Sequence, residues 1–162
     1  ETFISHLLRK YAEPLPPLWA VSEVMSFGEL SKWYTNLKSN AVRKAISHAF
    51  GMNPPVLASW LHHLSTVRNI CAHHSRLWNR EFTVTPKAPQ STPEIVRGAW
   101  HRDSRKLFNT LVILRYFAEQ LHPDVHWGAR LEGILRSNAS VDLLAMGFPT
   151  RNVADMTRIA DN

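Results

Sequence analysis

The residues of this sequence that could do chemistry are concentrated between Val67 and Arg80, in the segment VRNICAHHSRLWNR. Three arginines and two adjacent histidines stand there with two Asn and a Cys, and the first acidic residue after the segment is Glu81. Histidine transfers protons near neutral pH, and a guanidinium can hold two phosphate oxygens at once. This combination suits cleavage of an RNA phosphodiester, which needs a base for the 2′-hydroxyl, an acid for the leaving oxygen and positive charge for the transition state.

Metal and cysteine chemistry are disfavoured in this segment. The pairs His62–His63 and His73–His74 are adjacent in sequence, whereas two metal ligands on one helix face stand three or four residues apart. Cys71, the one cysteine, falls on the apolar face of the predicted helix, where a free thiol is usually a small core side chain. We therefore expect no metal, no other cofactor and no cysteine nucleophile.

The segment is predicted to lie on one long amphipathic helix, which begins at Pro54 and runs to about Trp78. A helical wheel divides it into a cationic sector (Arg68, Asn69, His73, Arg76, Arg80) and an apolar face (Val67, Cys71, His74, Trp78). Since a solvated face usually mixes charge signs, a sector of one sign indicates an anionic partner. Arg68 and His73 are about 140° apart on the wheel, so two antiparallel copies of the helix could bring them together.

The composition indicates a globular protein with a basic surface. The 162 residues are 44% hydrophobic, and 19 basic against 13 acidic residues give a net charge of +6. This balance favours a polyanion such as RNA, although an inert basic surface is the alternative. A single cysteine indicates a reducing compartment, here the cytoplasm, and no apolar run approaches the roughly 18–20 residues of a membrane span. Because the chain begins with Glu1, we expect an N-terminal part to be missing.

Helical periodicity predicts a single all-α bundle over residues 1–162. Two capping boxes, Ser26 with Glu29 and Ser91 with Glu94, predict helix starts. Further helices are predicted at about 1–11, 40–50, 93–121 and 123–138, with a helical turn at 140–145 and a weakly helical tail at 152–159. The Pro-rich stretches 12–19 and 82–93 are predicted to be irregular.

Two further segments offer weaker contacts for RNA. HRDSRK, from His101 to Lys106, is predicted to lie in the long helix and could extend an RNA path, although a solvated face is the more common role of such a segment. Trp33 and Tyr34 could stack on bases, but their amphipathic helix favours core packing.

RNICAH, from Arg68 to His73, matches the R-x4-H pattern of the HEPN superfamily. The wider stretches SFGELSKWYTNLK and SWLHHLSTVRNICAHHSRLWNREF resemble the Abi-like (AbiD/AbiF-type) abortive infection proteins of bacteria. The resemblance extends from about Leu15 to Pro89 and is looser in the C-terminal helices.

This resemblance implies an all-α HEPN fold and a metal-independent endoribonuclease of a phage-defence or toxin-like system. It also implies a homodimer whose active site draws on both chains, and an antitoxin or an inhibitory RNA as a further class of partner. Some HEPN domains are instead non-catalytic RNA-binding, protein-interaction or dimerisation modules, and that alternative stays open. A helical regulator without RNA is a third hypothesis.

Residue by residue, the resemblance gives the catalytic roles to Arg68 and His73. Arg68 would hold the scissile phosphate, and His73 would be the general base or acid. Asn69 would orient the histidine or the phosphate. The remaining positions expected to bind RNA or phosphate are His74, Arg76 and Arg80.

Overall fold

A computed structural model describes residues 2–11, 15–90, 94–102, 104–124 and 126–152 of the protein. Within these residues the regular elements are all helices, which confirms the predicted all-α class. The described helices are α1 (Thr2–Lys10), α2 (Leu18–Val24), α3 (Phe27–Asn36), α4 (Asn40–Ala49), α5 (Pro54–Ala72), α6 (Glu94–Ala99), α7 (Leu107–Leu121) and α8 (Trp127–Ser137). None of them combines the length and the apolar character that a membrane crossing requires.

Helices α5 and α7 form the centre of the core. α3 and α4 pack against α5, and α6 and α8 pack against α7. Trp60 of α5 is fully buried and meets Tyr116 and Phe117 of α7 edge to face. The Tyr116 hydroxyl donates to the carbonyl of Phe50, at a distance of 2.6 Å, and so ties α7 to the end of α4. Burial of these large rings stabilises the arrangement that fixes the orientation of α5.

Capping side chains determine where α3, α4 and α5 begin. The Ser26–Glu29 capping box is present, with both reciprocal hydrogen bonds, at the start of α3. Pro54 and Pro55 occupy the first turn of α5, and the Asn53 side chain accepts from the Val56 amide. α4 is capped by Ser39, one residue before the predicted position. Ser91, of the second predicted capping box, lies outside the described residues, as do residues 153–159 of the predicted tail.

The predicted long helix over 93–121 is wrong, because α6 ends at Ala99 and α7 begins at Leu107. The Asn109 side chain accepts from the His101 amide and donates to the His101 carbonyl, at 3.1 and 2.9 Å. These bonds satisfy the amide and the carbonyl of His101. The backbone at His101 therefore does not need the hydrogen bonds of a helix. α2, which directly follows Pro17, was not predicted.

Tyr34 is buried, as predicted for a core residue, whereas Trp33 is exposed.

Candidate functional site

Helix α5 ends within the R-x4-H segment, and the prediction of one helix running to Trp78 is wrong. The amide of His74 donates to the carbonyl of Cys71, and the amide of Ser75 donates to the carbonyl of Ile70. His74 has a positive φ of 52°. This is a Schellman motif, in which a left-handed residue just beyond the helix satisfies the last carbonyls. Glycine is the usual residue at that position. Because His74 stands there instead, the sequence has no glycine at this point to predict the helix end.

The early end of α5 changes the surroundings of the residues that follow it. His73 caps the helix, and His74 and the residues up to Arg80 lie in non-helical structure that we call the motif turn (residues 73–80). Cys71, His74 and Trp78 are exposed, so their predicted places on the apolar face are wrong. Leu77 is half-buried against the core and anchors the motif turn to the bundle.

Arg68 and Asn69 form a hydrogen-bonded pair on the exposed side of the last turn of α5. The Arg68 guanidinium donates to the Asn69 side-chain oxygen at 3.2 Å. The Asn69 carbonyl accepts from the His73 amide at 3.0 Å. Asn69 therefore contacts both residues of the predicted catalytic pair, its side chain restraining the guanidinium and its backbone fixing the start of the motif turn.

The cations of this region have no carboxylate partner. Arg68, Arg76 and Arg80 are exposed, and in the described part of the chain none of them is in an ion pair; the ion pairs there include Arg115–Glu119 and Arg136–Glu132. His73 is exposed as well. The predicted helix sector thus becomes a cationic surface formed partly by α5 and partly by the motif turn. Unpaired guanidiniums are free to bind phosphate oxygens.

A second basic segment meets the motif turn, although it is distant in sequence. The Lys106 ammonium donates to the Asn79 side-chain oxygen at 3.0 Å. Asn79 has a φ of 51°, a conformation that asparagine tolerates better than most residues. Arg105 donates from Nε and Nη2 to the Phe82 carbonyl, and the Phe82 amide donates to the Arg105 carbonyl. Arg105 and Lys106 of HRDSRK therefore reach the candidate site from a loop, not from the predicted helix, whereas Asp103 lies outside the described residues.

The N-terminal half of the chain carries a family signature. Residues 1–79 match the family model of the Abi-like proteins. The match is just under half of the chain and includes α1 to α5, the predicted catalytic pair Arg68 and His73, and the motif turn up to Asn79. No curated protein and no solved structure matches the chain significantly.

The similarity to Abi-like proteins stops one residue before Arg80, so Arg105 and Lys106 lie outside the matched range.

Within the described ranges, no three side chains of the His, Cys, Asp and Glu types are grouped closely enough to hold a metal ion.

His63 lies within the range that matches the Abi-like proteins, and its side chain is buried. The sequence drew attention to it only as a member of the adjacent pair His62–His63. His63 is 1% exposed, its Nδ1 lies 2.7 Å from the Val84 carbonyl, and its Nε2 lies 2.8 Å from the Thr110 hydroxyl. Since a carbonyl only accepts, Nδ1 carries the proton of the neutral ring and Nε2 accepts from Thr110. Burial lowers the pKa of His63, and the bond to Val84 offsets only part of that effect. The sequence signal for the burial of His63 was its position on the apolar side of the helical wheel, five residues before Arg68.

Proposed function

We propose that the protein is an Abi-like, HEPN-type endoribonuclease of an abortive-infection system, which cleaves RNA without a metal ion. The observation that carries the proposal is the set of exposed, unpaired cations at the end of α5, with Arg68 held by Asn69 and His73 at the helix cap. The similarity of residues 1–79 to Abi-like proteins supports it, because the matched range contains both catalytic candidates.

The proposed reaction uses the RNA 2′-hydroxyl as nucleophile. One histidine takes the 2′-hydroxyl proton while the 2′-oxygen attacks phosphorus. The bond from phosphorus to the 5′-oxygen breaks, and an acid protonates that leaving oxygen. The products are a 2′,3′-cyclic phosphate and a 5′-hydroxyl. Arg68 stabilises the charge that develops on the non-bridging oxygens.

A homodimer supplies what a single chain lacks. Of the two residues given catalytic roles, His73 alone can transfer a proton, whereas the reaction needs a base and an acid at once. Arg68 and His73 are both exposed, and guanidinium stabilisation of a transition state is far stronger where water is excluded. A second copy packed over the end of α5 would exclude water and contribute the second histidine, so we propose a composite site made by two chains.

The test uses end-labelled single-stranded RNA in excess EDTA. We expect wild-type protein to leave 2′,3′-cyclic phosphate ends, Arg68→Ala to lower the rate about 10²–10³-fold and His73→Ala about 10²–10⁴-fold. Arg130→Ala and His48→Ala remove the same side-chain types from exposed positions on α8 and α4 and should retain the rate. Salt-sensitive binding without cleavage by wild type would contradict the enzyme and favour a binding module. Loss of activity in EDTA would contradict the metal-free mechanism.

A further inference from the structure

A polar cleft beside the candidate site has a size and a lining suited to a nucleotide. It has a volume of about 710 Å³ and opens between the loop that follows Phe82 and the segment that joins α6 to α7. Pro89, Trp100, Arg102, Arg105 and Asn109 are among its lining residues. None of the lining residues that the structure describes is acidic, and Arg97, Arg102 and Arg105 give them a net positive charge.

Both walls of the cleft are fixed by hydrogen bonds. Asn109 is 3% exposed and holds the backbone of His101, and Ser104 through a longer contact of 3.4 Å. On the opposite wall, Lys87 accepts at its carbonyl from Trp60 Nε1 and donates from its amide to the Ser59 hydroxyl, both at 2.9 Å. A site with such walls is formed before a ligand arrives, which lowers the entropic cost of binding.

The lining offers the two contacts by which proteins bind single-stranded RNA. Trp100 stacks on the fully buried Trp60, with ring planes 3° apart and centroids at 5.8 Å, so its indole is held rigidly. Arg102 is exposed and has no ion-pair partner among the described residues. An aromatic ring stacks on a base, and a guanidinium binds the phosphate next to it.

Hydrogen bonds connect one wall of the cleft to the candidate active site. Arg105 lines the cleft and is bonded to Phe82 through its backbone and its side chain. The next residue, Lys106, is bonded to Asn79 of the motif turn. A strand of RNA whose scissile phosphate lies at Arg68 therefore has a path of positive charge along the motif turn to the cleft.

We propose that this cleft binds a nucleotide of single-stranded RNA that flanks the cleaved bond, with Arg102 on the phosphate and Trp100 on the base. The inference rests on the proposed ribonuclease function and extends it to a specificity-determining subsite. A rigid aromatic floor stacks on any base, whereas the polar rim of the cleft would select among bases.

The first experiment measures binding of a fluorescent 12-nucleotide RNA in the His73→Ala background, where cleavage is blocked. We expect Arg102→Gln to weaken binding about 10-fold, as for loss of one charge-assisted hydrogen bond, and to reduce the salt slope by about 0.7. Arg130→Gln makes the same charge change on α8, at a residue that does not line the cleft, and should change affinity less than twofold.

The second experiment identifies the contact directly. RNA that carries 5-iodouridine is irradiated with the protein, and the adduct is located by mass spectrometry. We expect the adduct on the peptide that contains Trp100, and we expect its yield to fall in Arg102→Gln but not in Arg130→Gln.

The outcomes separate this subsite from the ribonuclease function. Wild-type cleavage with identical binding by Arg102→Gln and Arg130→Gln, or adducts confined to other peptides, would overturn the subsite and leave the enzyme intact. Arg102-dependent binding with no cleavage by wild type would refute the enzyme and retain the cleft as an RNA contact. Absence of RNA binding by wild type would overturn both.

Discussion

His63 Nε2 lies 2.8 Å from the Thr110 hydroxyl, and both side chains are buried between α5 and α7. The other ring nitrogen bonds the Val84 carbonyl, next to Thr85, which lines the cleft. One imidazole thus connects the helix that carries Arg68, the central helix α7 and the loop that forms a wall of the proposed subsite. Loss of this imidazole should therefore destabilise the packing of these three segments.

We expect His63→Ala to lower the free energy of unfolding by about 2–4 kcal/mol. The substitution leaves the Val84 carbonyl and the Thr110 hydroxyl without their partner and opens a cavity beside Phe82, whose ring meets His63 edge to face. Urea unfolding followed by circular dichroism measures the change. His62→Ala is the matched control, because His62 is exposed, and it should stay within about 0.5 kcal/mol. Equal effects of the two variants would contradict the assigned role.

Stability should also fall in mild acid because of His63. Its pKa in the folded protein is lowered from the ordinary value of 6.5, so the unfolded chain binds the proton first as the pH falls. The contribution of His63 is fully present above pH 6.5 and is lost as the pH falls from there through the folded-state pKa, at no more than about 1.4 kcal/mol per pH unit. Urea titrations between pH 7.5 and 5 should show a smaller loss for His63→Gln, which keeps a donor and an acceptor but does not titrate. Parallel curves would refute this linkage.

The elements that could be predicted from sequence are those whose signals lie within a few residues. Ser26 and Glu29 satisfy each other's backbone groups, and Pro54 fits the first turn of a helix, so both helix starts were predictable. The break between α6 and α7 was not, because the side chain that stabilises it, Asn109, lies eight residues from His101 in a helix of its own. The helical periodicity along 93–121 continues across the break, and the contact of Asn109 with His101 overrides it.

The end of α5 gives a prediction about backbone strain. His74 has a φ of 52°, which costs a residue with a Cβ about 1 kcal/mol or more relative to glycine. We therefore expect His74→Gly to be more stable than His74→Ala by about 1 kcal/mol, because both remove the imidazole and only glycine relieves the strain. Thermal and urea unfolding of the two variants measure the difference. If His74 binds RNA as predicted, both variants should weaken RNA binding equally, because both lack the imidazole. Unequal stability with equal binding would then show that the stability difference comes from the backbone and the binding loss from the side chain.

A paired glycine test examines the packing of α8 on α7. A Cβ at Gly128 would lie 3.0 Å from the guanidinium carbon of Arg115, which is 4% exposed and bonded to Glu119, so it has little room to move. We expect Gly128→Ala to lower the free energy of unfolding by about 1–3 kcal/mol. Gly133→Ala, in the same helix, meets no atom within 4 Å and should raise it by about 0.5–1 kcal/mol. Unfolding midpoints that move in the same direction would contradict this packing.

The candidate site was only partly predictable, for a related reason. The residue types at Arg68, Asn69 and His73 identified the cationic cluster, and they remain together on the surface. The contacts of Lys106 with Asn79 and of Arg105 with Phe82 span more than 20 residues, and no local pattern encodes such pairs. The wheel also placed His74 on the apolar face, since it assumed a helix that continues beyond Ala72.

The composite site makes a prediction that single variants cannot test. Arg68→Ala dimers retain two histidines and no Arg68, whereas His73→Ala dimers retain two arginines and no His73. If Arg68 of one chain acts with His73 of the other, a mixed dimer holds one complete pair. This dimer lacks the second histidine, so its activity should be below that of wild type. Unfolding the two variants together and refolding them should nevertheless give more activity than the sum of the separate samples, with about half of the dimers mixed.

The matched control for this experiment mixes Arg68→Ala with the double variant Arg68→Ala/His73→Ala, which forms mixed dimers without any Arg68 and should show no gain. Gel filtration across micromolar concentrations provides the second measurement. Elution as a monomer throughout, or equal activity in the experimental and control mixtures, would refute a site shared between chains. A gain in the experimental mixture alone requires the two residues to act in trans, since no chain in that mixture contains both.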